Sequence, residues 1–93
     1  MRIANKNARE AIKHLKEFKA NNLFAVREKS IANPANWKYV VYSYGYHFPI
    51  YTCLDKWYVN KDKYSVSTSR HQNQCKPEGI ELIYLSTEDM KAL

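Results

Sequence analysis

The chain has little glycine, proline, cysteine or acid, and each shortage excludes a class of protein. Two glycines and three prolines in 93 residues exclude collagen-like and low-complexity chains. They also leave too few glycines for a phosphate-cradling loop. Two cysteines, Cys53 and Cys75, stand 22 positions apart. Secreted disulfide scaffolds of this size usually carry four or more, so two free thiols in a reducing compartment are expected. No apolar run approaches the ~18 residues that span a bilayer. The opening MRIANKNAREAIKHLKEF holds no signal-peptide core, and a cytoplasmic location, without membrane attachment, is the expectation.

What is present is one domain, residues 1–93, with 45% hydrophobic residues and an excess of base over acid. Fifteen Lys and Arg against nine Asp and Glu give a net charge of +6. The excess is clustered in residues 1–30 and 61–76, while the end of the chain is acidic. Clustered charge attracts polyanions, whereas scattered charge mainly keeps a protein dispersed.

Ala8, Ala11, Ile12, Leu15 and Phe18 recur at helical spacing and predict an amphipathic helix from Asn5 to Ala20, stopped by Asn21-Asn22. Lys6–Glu10 and Lys13–Glu17 are spaced to pair along it. Strands are expected at Leu23–Lys29, Trp37–Tyr44, His47–Leu54 and Trp57–Asn60, with a possible continuation at Tyr64–Val66. Pro49 marks an edge or a bulge. Ser67-Thr68-Ser69 reads as a cap cluster opening a short polar helix to Gln74. Ile80–Leu85 is a last strand, and Ser86 with Asp89 starts a terminal helix. The fold expected is α+β: an N-terminal helix on an antiparallel meander of about five strands.

Three stretches stand out: Glu17 to Leu23, the aromatic Ser43-Tyr44-Gly45-Tyr46-His47-Phe48-Pro49, and Asn60 through Tyr64-Ser65-Val66-Ser67-Thr68-Ser69-Arg70-His71-Gln72. Together they resemble a group of short, uncharacterised proteins from phages and mobile elements. Ser67 stands where that group more often has Thr, which keeps the hydroxyl. The resemblance implies provenance rather than mechanism. It favours small proteins that bind nucleic acid or obstruct a host complex.

Ten of thirteen aromatic residues lie between Trp37 and Tyr64. A core of this size cannot bury them all, so some rings must face solvent. Rings beside cations suit stacked bases and phosphates, and they also suit protein interfaces. Tyr44, Tyr46 and Trp57 are the candidate stacking surfaces. Lys61, Lys63, Arg70 and Lys76 are candidates for neutralising phosphate, and Asn60, His71, Gln72 and Gln74 for polar contacts. Arg9, Lys13 and Lys16, with Arg2, form a basic flank on the first helix. His47, Cys53, His71 and Cys75 lack the close spacing of a zinc site, and neither metal nor cofactor is expected. No nucleophile motif or carboxylate pair points to an enzyme.

The function expected is a non-enzymatic, phage-type accessory protein in a host cytoplasm. It would bind nucleic acid or a nucleoprotein complex through a basic, aromatic-rich face. The alternative is an anti-CRISPR-type inhibitor that blocks a host-defence complex through protein contact, with an acidic surface as partner.

Overall fold

The computed structural model describes residues 2–62, 66–77 and 79–93, and the side chains of all these except 66–69 and 74. A 3-10 turn at Asn5–Asn7 leads into α1 (Ala8–Lys13), followed by β1 (Phe18–Ala20), β2 (Leu23–Lys29), β3 (Trp37–Ser43), β4 (Pro49–Cys53) and β5 (Trp57–Asn60). Then come α2 (Val66–Cys75), β6 (Leu82–Leu85) and α3 (Thr87–Lys91). The fold is α+β, with six strands rather than about five, in the order β1-β2-β3-β4-β5-β6.

The sixth strand arises where the first helix was expected to continue. Leu15 adopts a left-handed conformation at φ 53 and ends α1 early. Phe18 then pairs with Ala25, and Ala20 with Leu23, in a hairpin turned by Asn21 and left-handed Asn22. Phe18 is buried at 2% exposure, so it continues the apolar pattern of α1 while reaching the core from a strand. The expected Lys13–Glu17 pair is replaced, because Glu17 Oε2 accepts the Arg27 N–H at 2.9 Å. Six residues make a helix too short to persist alone, so α1 depends on burying Ala8, Ala11 and Ile12.

The first five strands form the expected antiparallel meander, but β6 joins β5 in parallel. A parallel neighbour needs a crossover, and α2 supplies it. This helix begins at Val66, so Ser67, Thr68 and Ser69 lie inside it rather than ahead of it as a cap. Of the possible extra strand Tyr64–Val66, Val66 is helical and the other two lie outside the described residues. Pro49 sits in a central strand beside a register shift at Val41/Tyr42, which is the bulge its missing N–H calls for. Ser86 caps α3 as expected, its side chain accepting the Asp89 N–H.

Strand alternation sorts the core into two faces. On one, Phe18, Ala25, Tyr39, Val41, Tyr51, Trp57 and Val59 pack with α1 and with Cys75 of α2. Each large side chain buried here contributes ~1.5–3 kcal/mol. The two tyrosines satisfy their hydroxyls on backbone carbonyls, Tyr39 donating to Lys16 O at 2.7 Å and Tyr51 to Gln72 O at 2.8 Å. On the other face, α3 packs over β4, β5 and β6 and buries Met90. Beyond α3, Lys38 lies 3.8 Å from Glu28, whose carboxylate also accepts the Tyr42 hydroxyl at 2.9 Å.

Among the described residues, Thr52 Oγ1 is a buried oxygen with no hydrogen-bond partner. Replacing an unpaired buried hydroxyl by a methyl removes a desolvation cost and keeps the β-branched shape. Thr52→Val is therefore expected to raise stability by about 1 kcal/mol. Urea denaturation would show a higher midpoint at an unchanged slope.

Candidate nucleic-acid interface

The turn between β3 and β4 creates an aromatic corner. It needs two unusual backbone positions, Tyr44 at φ 64 and Gly45 at φ 138. A side chain at Gly45 would be strained, since its Cβ would lie 3.1 Å from the His47 ring on a backbone that side chains rarely adopt. Tyr44 is the costlier case, because left-handed backbone destabilises a bulky residue by roughly 1–2 kcal/mol. Two contacts hold it. Its N–H donates to Asn22 O at 3.0 Å, and its ring stacks on His71 with centroids 5.6 Å apart. The ring is nevertheless 42% exposed.

Beside it, Tyr46 is 65% exposed and meets two further rings. Its centroid lies 5.0 Å from that of Phe24 and 5.0 Å from that of Tyr42. Phe24 and Tyr42 are cross-strand partners on β2 and β3, stacked at 5.3 Å. Lys19 pairs with Phe24 across β1 and β2, and Arg2 bridges to Lys19. A cleft of about 350 Å³ opens between these groups, lined by Arg2, Lys19, Asn22, Phe24, Tyr44 and Tyr46. Arg2 thus stands on extended chain beside β1, not on a helix flank as its spacing suggested. Lys19 and Phe24 escaped the sequence reading because only the Phe18–Ala25 hairpin brings them to this corner.

Beneath the corner, His71 is buried against Ser43, with Nδ1 and Oγ 2.7 Å apart. Ser43 is fully buried, so its hydroxyl is held inside the fold rather than presented as a nucleophile. Burial, reinforced by Arg70, holds the imidazole below its ordinary value of 6.5. The expected role of His71 as a surface contact is therefore corrected: it is a pedestal for Tyr44.

The other expected site residues divide between the two ends of the strands. Trp57 is no stacking surface. It is buried at 9% exposure, edge-on to Tyr39 and Tyr51, because β5 turns it inward between α1 and the sheet. Asn60 is buried too, at 2% exposure, and its amide donates to Pro49 O at 2.8 Å and to Thr87 Oγ1 at 2.9 Å. Gln72 is half-buried and donates to Asn60 O at 2.8 Å, so it ties α2 to β5 rather than reaching outward. Lys61 and Arg70 are exposed, and Lys61 follows Asn60 at the strand ends that carry Tyr44. Lys63 and the side chain of Gln74 lie outside the described residues.

Arg9, Lys13 and Lys76 gather at the opposite end. There, two clefts lined by Pro77 and Ile80 open beside them, and Trp57 lines one of the two. Arg9 donates to Asn73 O at 2.8 Å, and Lys16 is exposed on the connection to β1. The single basic face expected from the sequence is thus two separate regions. Both cysteines are free thiols, and burial pushes Cys75 up to about 12 and raises Cys53. Among the described residues, no group of three or more His, Cys, Asp or Glu gathers as metal ligands would. No described helix is long and apolar enough to cross a membrane.

No family model, curated protein or solved structure matches this chain.

Two outcomes follow from these placements. Asn60→Ala takes the amide from the buried Pro49 carbonyl and the half-buried Thr87 hydroxyl and is expected to destabilise the fold by about 3 kcal/mol. A drop in thermal midpoint would report it, and an unchanged midpoint would contradict this role for Asn60. The second outcome concerns His71. Its folded pKa is depressed, so the unfolded chain binds more protons once pH falls below the ordinary value. The stability contributed by the neutral ring is complete above pH 6.5 and is lost as pH falls towards the folded pKa. Between about pH 7.5 and about pH 5.5, the urea midpoint should fall further for wild type than for His71→Gln.

Proposed function

We propose that this chain is a small, non-enzymatic accessory protein of phage type that binds single-stranded nucleic acid at the aromatic corner. On this reading it acts in a host cytoplasm, either on free nucleic acid or on a nucleoprotein complex. The carrying observation is Tyr44, a bulky residue kept in a costly left-handed conformation with its ring still exposed. Strain of this kind concentrates at functional positions. Here it displays a ring beside Tyr46, with Arg2 and Lys19 lining the same cleft.

The chemistry suits unpaired bases. Stacking on an aromatic ring contributes ~1–3 kcal/mol per base and tolerates any sequence. Arg2 and Lys19 would neutralise the adjacent phosphates, with Lys61 and Arg70 extending the path. The corner offers rings and a shallow cleft rather than an exposed helix, which favours single strands over reading a major groove. An excess of positive charge draws the polyanion towards the site.

The test is affinity for short DNA and RNA oligonucleotides, single- and double-stranded, across a salt series. Log affinity should fall linearly with log salt, by ~0.7 per phosphate contacted on a single strand. Arg2→Ala with Lys19→Ala should make that slope shallower by about 1.4. Tyr44→Gly removes the ring and relieves the backbone, so it should weaken binding roughly tenfold with little change in stability. Absence of binding at low salt would overturn the proposal. So would equal losses from Arg9→Ala with Lys13→Ala at the far end, and a protein-blocking role would then gain.

A further inference from the structure

At the end of the strands opposite the aromatic corner, a cleft of about 480 Å³ opens between α1, the place where β4 ends and β5 begins, and the connection from α2 to β6. Sites for small molecules have volumes of ~300–1,000 Å³. The apolar wall is assembled from distant parts of the chain: Leu15 after α1, Trp57 on β5, and Pro77 and Ile80 after α2. Ile80 is 45% exposed, so part of this wall faces solvent. Leu15 reaches it through the left-handed backbone that ends α1. Helix ends usually give that conformation to glycine or asparagine. A leucine there is disfavoured, and its side chain lines the cleft.

The rim is charged. Arg9 and Lys13 stand four residues apart on α1, so they reach the same side of the helix. The acids beside them are engaged. Glu10 Oε1 lies 3.1 Å from His14 Nε2, and Glu17 accepts the Arg27 N–H. Arg9 is held at the rim by its bond to Asn73 O at 2.8 Å. A guanidinium fixed in advance loses little freedom when a carboxylate meets it.

The charge balance selects the ligand. Among the described residues, Arg9 and Lys13 against Glu10 leave this cleft with one positive charge. The adjoining cleft adds Lys76 and Glu81, which cancel. One negative charge neutralises such a rim, and a phosphate dianion exceeds it. A nucleic-acid strand would bring phosphate but nothing apolar to cover the wall.

We propose that this cleft binds a small organic monoanion, its apolar body against Leu15, Trp57, Pro77 and Ile80 and its carboxylate on Arg9 and Lys13. The site is separate from the aromatic corner and does not depend on nucleic-acid binding there.

The probe is 3-phenylpropionate, with 3-phenylpropanamide as its neutral counterpart and acetate as a head without a body. Cys53 supplies a local readout. It lines the cleft half-buried, whereas Cys75 is fully buried, so iodoacetamide should alkylate Cys53 alone in the folded chain. Burial raises the Cys53 pKa, and about pH 9 supplies enough thiolate for the reaction. At about 10 mM, 3-phenylpropionate should slow alkylation roughly tenfold, which corresponds to a dissociation constant of ~1 mM. The amide, lacking charge-assisted bonds, should slow it only about twofold, and acetate should not slow it. Lys13→Glu should cut protection by the acid to about twofold and leave that by the amide unchanged. Ile80→Ser should weaken protection by both. Lys13 and Ile80 are exposed, so both variants should keep the wild-type circular dichroism spectrum. Tyr44→Gly should retain full protection. An unprotected wild-type Cys53 would overturn the site. Equal protection by acid and amide would overturn the anion, full protection in Lys13→Glu would overturn the rim, and loss of protection in Tyr44→Gly would overturn the separation from the corner.

Discussion

The carboxamide of Asn60 is the junction on which the arrangement of the elements depends. It sits buried at the end of β5, where the chain must leave the sheet, cross over and return in parallel. One side chain reaches the carbonyl of Pro49 on β4 and the hydroxyl of Thr87 on α3. Its oxygen accepts the Asp62 N–H at 2.8 Å, turning the chain out of the strand. Its own backbone carbonyl takes the Gln72 amide from α2. Asp62 completes the junction by accepting the Thr87 N–H at 2.7 Å, which holds its carboxyl below the usual range. A buried amide requires several partners, and here each partner belongs to a different element. The junction thereby holds α2 in place, and with it the His71 pedestal beneath Tyr44.

That pedestal links stability to the proposed site. Tyr44 occupies a disfavoured backbone region and would relax if the surrounding contacts were weaker. Stacking on His71 and the bond to Asn22 O keep it there. His71 in turn is positioned by Ser43 at the end of β3. The display of one exposed ring therefore rests on a helix, the end of one strand and a hairpin turn. The cations beside it come from the far side of the sheet edge, because the β1–β2 hairpin delivers Lys19 and the preceding chain delivers Arg2.

Much of the fold was legible from local pattern. The aromatic and β-branched runs became β3, β4 and β5, Pro49 marked a bulge, and Ser86 with Asp89 started α3. The misreadings share a cause. Phe18 fits a helical stripe, yet it reaches the core equally well from a strand, and only pairing with Ala25 decides between them. Trp57 and Asn60 have side chains suited to ligand contact, but burial depends on which face of β5 they occupy and what covers it. His71 likewise looked like a contact residue until α2 laid it on Ser43.

Composition and spacing by themselves determined an α+β fold with a clustered basic charge and more aromatic rings than its core can hold. Those are properties of short-range pattern and of volume, and they do not depend on how the elements assemble. Tertiary structure alone decided which rings remain outside, which cations join them, and that the basic residues separate to two ends of the strands. These outcomes depend on strand register and on the β5–α2–β6 crossover. Shifting a strand by one residue exchanges its inner and outer faces, and the contacts that prevent the shift join residues distant in the chain.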